Sequence, residues 1–199
     1  MRGLRDETHF RRSQEVAVFL REQETNGKFN IYFFDESGAS LTPSIPYAWQ
    51  EIGKTRELPS KRSKRLNILG FINRKNEGQC HFVEESVNSG HVIEAFDAFA
   101  ARYAEEYAAT KVPCLVVLDN APTHHSGVFK AKIDDWIAQG VCLHYLPTYS
   151  PELNLIEILW RKLKYEWLPM SAYKSYGCLK ENVKNILFLF GTKYKITFV

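Results

Sequence analysis

Two nearly unbroken apolar runs, residues 29–34 (Phe-Asn-Ile-Tyr-Phe-Phe) and 112–118 (Val-Pro-Cys-Leu-Val-Val-Leu), constrain the fold of this chain most. Each has the length of one strand and lacks the polar alternation of a strand with one wet face. Such runs belong to strands buried on both sides, as in a sheet covered by helices above and below. Each run leads at once into an aspartate, Asp35 and Asp119. In open α/β sheets, ligands and reacting groups gather outside the strand ends. A third carboxylate, Glu157, lies in the segment Ser150-Pro-Glu-Leu-Asn-Leu-Ile-Glu157-Ile-Leu-Trp160. Three carboxylates from distant segments, brought to one sheet edge, are a donor set for two Mg²⁺ ions. A metal pair about 3.5–4 Å apart is a clamp for phosphodiester chemistry.

With 199 residues, 45% apolar and 25% charged, the chain suits one domain with a full core and not a disordered polymer. The net charge of +3 decides little about partners. Cys80, Cys114, Cys142 and Cys178 form no Cys-x-x-Cys pair, which argues against structural zinc and a disulfide scaffold. Cys114 and Cys142 read as small core residues. No apolar stretch approaches ~20 residues, so no membrane span is expected. The first residues lack the apolar middle of a signal peptide, so a soluble intracellular, cytoplasmic protein is expected.

Along the chain, residues 11–26 carry Val16, Phe19 and Leu20 at helical spacing, with Gly27 as a stop. Residues 29–34 are a strand, Ser37-Gly38 a turn, 39–52 a hairpin region interrupted by Pro43 and Pro46, and 54–65 a basic loop. Residues 66–72 and 79–83 read as strands about a turn at Asn76-Glu77-Gly78. Residues 88–109 hold Val92, Phe96, Phe99, Ala100 and Tyr103 at spacings of three and four, a helix that Asn88 or Ser89 caps. A strand at 112–118, a helix at 126–139 with core candidates Val128, Ile133 and Trp136, and a strand at 141–146 follow. Helices at 154–167 and 179–190 and an extended tail at 193–199 complete the chain. Three antiparallel strands followed by α-β-α-β-α is the order of a ribonuclease H-like α/β domain. It predicts a mixed five-stranded sheet, three antiparallel strands then two parallel, with helices on both faces.

Each carboxylate has a plainer reading. Asp35 before Ser-Gly can open a turn, and its neighbour Glu36 must point to the opposite face, so only one of them joins a site. Asp119 can be a turn former. Glu157 can close a capping box with Asn154 or pair with Arg161 one turn on. Leu155, Leu159, Leu163 and Trp167 form an apolar stripe, with Glu157, Arg161 and Lys164 on another side. His124-His125 lacks the zinc-protease pattern and is assigned no metal. His124 reads as a near-site residue that either makes a hydrogen bond there or contacts phosphate, or equally as a polar turn residue. The run 54–65 holds six basic residues (Lys54, Arg56, Lys61, Arg62, Lys64 and Arg65) and one acid, the footprint of phosphate contacts or a solvated loop.

The segments Asp35-Glu-Ser-Gly, Asp119-Asn-Ala-Pro-x-His124 and Tyr149-Ser-Pro-Glu-Leu-Asn-x-Ile-Glu157-x-x-Trp160 resemble the Asp-Asp-Glu motifs of mariner-type insertion-sequence transposases. Thirty-seven residues separate Asp119 from Glu157. The resemblance runs from about residue 28 to the C-terminus. It implies a ribonuclease H-like catalytic domain over 28–199 after a helical lead-in at 1–27. It implies Asp35, Asp119 and Glu157 as catalytic ligands of two Mg²⁺ or Mn²⁺ ions, with Asn120 and His124 near the site. It also implies cleavage and strand transfer at transposon ends, insertion at TA dinucleotides, a homodimer in the active complex and a nucleoid-associated location. DNA contacts are expected from Lys54, Arg56, Lys61, Arg62, Lys64, Arg65, Arg161, Lys162 and Lys164. Two departures stand out. Leu155 occupies a position where the family usually has Pro. Too little chain precedes the first strand for the family's helix-turn-helix modules, so the chain reads as the catalytic half alone: a second reading frame beside a separately encoded helix-turn-helix half, a truncated copy or a fragment. The alternatives are a non-catalytic relic that binds DNA or a full-length transposase, and a stand-alone ribonuclease H-like nuclease.

Overall fold

The structure, a computed structural model, describes residues 7–42, 52, 64–148 and 150–198. Helix α1 (Glu7–Thr25) ends at Gly27, whose φ of 68° is the left-handed conformation that glycine adopts without strain. Strands β1 (Asn30–Ala39), β2 (Leu66–Asn73) and β3 (Gly78–Val83) precede helix α2 (Ser89–Thr110) and strand β4 (Cys114–Leu118). A 3₁₀ turn (Pro122–His125) and the short helices α3 (Gly127–Lys130) and α4 (Ile133–Ala138) lead to strand β5 (Val141–Tyr145). Helix α5 (Ile156–Lys162) passes into a π turn (Leu163–Trp167), and α6 (Tyr176–Phe188) is the last helix.

The five strands form one sheet in the order β3-β2-β1-β4-β5. β1 pairs antiparallel with β2, and β2 antiparallel with β3. β4 is parallel to β1, and β5 parallel to β4. This is the mixed sheet expected from the sequence. Its two faces carry separate cores, as strand alternation requires. Ile31, Phe33 and Val117 face α5 and α6 through Ile156, Leu159, Trp160, Leu163, Leu179 and Val183. Tyr32, Phe34, Val116 and Leu118 face α2, α3 and α4 through Phe96, Phe99, Phe129 and Trp136. Asn88 caps α2 as expected, and His91 completes a capping box with it. On the first face, Leu20 of α1 packs on the core and Glu24 pairs with Arg74 at 2.6 Å.

Four local expectations are corrected. Ser37 and Gly38 make no turn: β1 runs on to Ala39, because β2 continues to pair with it through Leu66. The strands are therefore not joined throughout by short turns, since residues 40–65 connect β1 to β2. Of the expected hairpin region, residues 43–51 lie outside the described residues. The helix expected over 126–139 is broken between Lys130 and Ile133, so Phe129 and Trp136 are the fully buried residues while Val128 is 61% exposed. The helix expected over 154–167 starts at Ile156 and loosens into a π turn at Leu163. Its buried stripe is Ile156, Leu159, Trp160 and Leu163, with Leu155 and Trp167 only half-buried. Cys114 is buried as expected and Cys142 is half-buried. Among the described residues, no helix is long and apolar enough to cross a membrane.

Candidate active site

The cleft forms where two parallel strands part. β1 is paired with β4 only from Asn30 to Phe33, yet stays paired with β2 as far as Ala39. Asp35 thus stands on β1 two residues beyond its last β4 partner, and Asp119 directly follows the end of β4. Both carboxylates reach the same edge of the sheet. Glu157, in the first turn of α5, reaches it from the helix layer. All three line one cleft of about 350 Å³, together with Asn120, Thr148, Ser150 and Asn154. Glu36 is not among the residues lining it, as alternation along an extended strand requires.

Asp35 is held by a partner remote in sequence. Trp160 Nε1 donates to Asp35 Oδ2 at 3.0 Å. The indole reaches Asp35 because the residue opposite it on β2 is Gly70. A Cβ at Gly70 would stand 2.7 Å from Trp160 Cη2 and 3.1 Å from Ile156 Cδ1. Gly70→Ala is therefore expected to displace a buried indole, at a cost of about 1–3 kcal/mol. Thermal unfolding should show a fall of roughly 3–10 °C for a chain of this size. An unchanged midpoint would mean that Trp160 is not clamped there.

Asn154 anchors α5 to the same strand: its buried Nδ2 donates to Phe34 O at 2.9 Å. The helix start carries no side-chain cap, so the capping-box reading of Glu157 fails. The cation acting on Glu157 is Lys164, not Arg161. Leu155 has φ −63° and ψ −21°, and Asn154 before it is extended at φ −97° and ψ 103°. Both suit a proline at position 155. Leu155→Pro is expected to fold normally and gain up to about 1 kcal/mol by restricting the unfolded chain. A fall in the melting midpoint would count against this geometry.

Electrostatics mark the cleft as an excess of negative charge. Burial raises the Asp35 carboxyl from 3.8 to about 7, with further increments from the charges of Glu157 and Asp119. Burial also raises Glu157, opposed by Lys164 and reinforced by Asp119. Asp119 is lowered, first by its hydrogen bond with His124. Among the described residues, no three His, Cys, Asp or Glu side chains form a ready-made metal cage. The cleft nevertheless suits hard divalent cations, because its charged donors are carboxylate oxygens. Asn154, which also lines it, has a buried Oδ1 with no hydrogen-bond partner, an acceptor that a cation or its water would satisfy.

His124 is corrected as a phosphate contact. It is 2% exposed, lies between Phe34 and Phe129, and its Nδ1 meets Asp119 Oδ1 at 3.0 Å. Asn120 lines the cleft and bonds His125. Of the basic residues, Lys54, Arg56, Lys61 and Arg62 lie outside the described residues. Lys64 acts on Glu84, Lys162 pairs with Glu166 at 2.8 Å, and Arg161 is exposed. Arg65 and Lys164 line no part of the cleft but act on one another, and Lys164 is felt by Glu157 and Asp35. Arg65 crosses Gly38, where a Cβ would meet its guanidinium. Lys164 is half-buried and lowered by burial and by Arg65, while Glu157 and Asp35 oppose that shift. The sequence reading gave Trp160, Gly70 and Asn154 no role in holding the site. Trp160 and Asn154 stood inside the third motif as the only available signal, whereas Gly70 had none.

The fold has counterparts in solved structures. A Mos1 transposase paired-end complex with left transposon end matches 96% of this chain and 56% of its own, at 16% identity and a TM-score of 0.64. A Mos1 mariner paired-end complex with Mn matches 91% and 55%, at 14% identity and a TM-score of 0.62. The Mos1 mariner transposase catalytic domain matches 96% and 84%, at 17% identity and a TM-score of 0.59. At such identities the likeness establishes the ribonuclease H-like fold. The chain spans little more than half the length of the longer Mos1 chains. No curated protein sequence matches it. A family model described as DDE superfamily endonuclease covers residues 30–180, from the strand that bears Asp35 past the helix that bears Glu157. The chain belongs to the DDE superfamily endonucleases.

Proposed function

We propose that this chain is the catalytic domain of a mariner-type DNA transposase, which cuts at transposon ends and joins them to target DNA at TA dinucleotides. The observation that carries this reading is the convergence of Asp35, Asp119 and Glu157, from β1, the end of β4 and α5, on one cleft. Their carboxylates would hold two Mg²⁺ or Mn²⁺ ions, with Asn154 Oδ1 at hand as a further oxygen. Bound there, a metal pair supplies an activated oxygen nucleophile and charge neutralisation at the leaving 3′-oxygen. Trp160 fixes the rotamer of Asp35, and His124 that of Asp119. Arg65 and Lys164 supply positive charge beside the carboxylates, suited to flanking phosphates of a DNA strand. Asp119 raises the Glu157 carboxyl and Lys164 lowers it.

The active complex is proposed as a homodimer on DNA and, in a bacterial cell, with a nucleoid-associated location. The neighbours with transposon ends support DNA as the substrate class. The test is strand transfer of a precut transposon end into a TA-containing duplex with Mg²⁺ or Mn²⁺. Joined product that disappears with EDTA is expected. Hydrolysis without joining would replace the proposal with a stand-alone nuclease. DNA binding without either reaction would replace it with a non-catalytic relic.

A further inference from the structure

Glu36 and His124 lie behind the carboxylates, outside the cleft, yet they share a contact. His124 Nδ1 stands 3.0 Å from Asp119 Oδ1 and 3.2 Å from Asp119 O. Both partners are acceptors, so Nδ1 must carry the proton and donate to them. The ring cannot turn freely. It is 2% exposed, its centroid is 5.7 Å from those of Phe34 and of Phe129, and its backbone carbonyl accepts Tyr145 Oη–H at 3.1 Å. Its other nitrogen, Nε2, is buried without a hydrogen-bond partner, and Glu36 Oε1 lies 3.9 Å away. Burial this complete excludes contact with a substrate.

We propose that His124 is a positioning residue for Asp119, backed on its far side by Glu36, and that this line fixes which oxygen of Asp119 is presented to a metal in the cleft. The inference deepens the metal-dependent reading above and rests on it. Asp119 Oδ1 receives two donors, His124 Nδ1 and the Ala121 N–H at 3.2 Å. That oxygen is thereby fixed, and the carboxylate cannot rotate to share its charge equally. Partners of this kind behind a ligand typically change metal affinity about 10–100-fold when removed. The adjacent acid on β1 thus acquires a task. Asp35 faces the cleft, while Glu36, on the opposite face, meets the imidazole that holds the second aspartate.

Two substitutions separate positioning from packing. His124→Phe restores the ring volume between Phe34 and Phe129 but removes the donor. His124→Asn loses volume, and its amide nitrogen takes about the place of Nδ1. Mn²⁺ binding to the whole chain without DNA, read by the loss of the free-ion paramagnetic resonance signal, is the probe. His124→Phe is expected to weaken Mn²⁺ binding about 10–100-fold with a near-normal melting midpoint. His124→Asn is expected to bind within a few-fold of the unsubstituted chain, although its melting midpoint falls because a cavity is left. Glu36→Gln is expected to weaken binding less, and its effect should shrink when His124 is already Phe. Phe binding Mn²⁺ as well as His, or Asn binding as poorly as Phe, would overturn the positioning role. Full additivity of the Glu36 and His124 effects would remove Glu36 from it. Absence of Mn²⁺ binding by the unsubstituted chain would overturn the metal reading of the cleft, and this inference with it.

Discussion

Asp119→Asn is expected to lower metal-dependent strand cleavage and joining by about 10³-fold or more while leaving the fold intact. Asparagine preserves the shape of the side chain. Its Oδ1 can still accept from the Ala121 N–H and from His124 Nδ1, the two donors that meet Asp119 Oδ1. What disappears is the negative charge that a hard divalent cation requires. Loss of several kcal/mol of metal-assisted transition-state stabilisation corresponds to three or more orders of magnitude in rate. Glu157→Gln should behave alike, for the same reason. Joined product should be measured over a titration of Mg²⁺ and Mn²⁺, with melting midpoints as the control for folding. A variant with normal stability that keeps more than about a tenth of the activity would remove Asp119 from the catalytic set.

How much of this was legible in the sequence follows from which interactions are local. The buried strands announced themselves, since an apolar run closed by an acid needs no distant partner to be recognised. Asn88 before α2 and Gly27 after α1 were equally readable, because caps act within a few residues. The extension of β1 past Asp35 was not readable. Ser37-Gly38 carries turn chemistry, and only pairing with β2 across a long connection overrides it. The break between α3 and α4 changed which residues are buried. A continuous helix puts Val128 inward, whereas the broken one buries Phe129 and Trp136, whose Nε1 donates to Asp97 at 2.8 Å. At the site, the three carboxylates were found as motifs, and His124 beside Asp119 lay within one of them, but the supports of β1 are pairs more than a hundred residues apart. Trp160 holds Asp35, and Asn154 holds the backbone of Phe34. Nothing in the local sequence says that Gly70 is small so that an indole can pass over it.

The carboxylates should also reveal themselves in the stability of the metal-free protein, and with the opposite sign to their catalytic importance. Burial, aided by Glu157 and Asp119, raises the Asp35 carboxyl from 3.8 to about 7. Between those values the folded chain holds a proton that the unfolded chain has released. Stability associated with that proton is complete below about pH 4 and is lost as the pH rises through about 7. Glu36 and Glu157 are raised as well and act in the same direction, whereas Asp119 is lowered and opposes it. Asp35→Asn keeps an acceptor for Trp160 Nε1 and removes the charge. In EDTA at pH 8 the variant is therefore expected to melt above the unsubstituted chain, with roughly 4 kcal/mol as the upper bound of the gain. At pH 5 the gain should shrink to less than half of that, because the unfolded carboxyl is already largely ionised there. Divalent cation should shift the ranking back toward the unsubstituted chain. An ion at a hundred times its dissociation constant stabilises the unsubstituted chain by about 2.7 kcal/mol, roughly 5–10 °C at this size. The variant should gain much less. Melting curves of both proteins at the two pH values, with EDTA and with Mg²⁺, test this directly. A variant less stable than its parent in EDTA at pH 8 would mean that Asp35 is satisfied within the protein and that no cation is needed to hold it there.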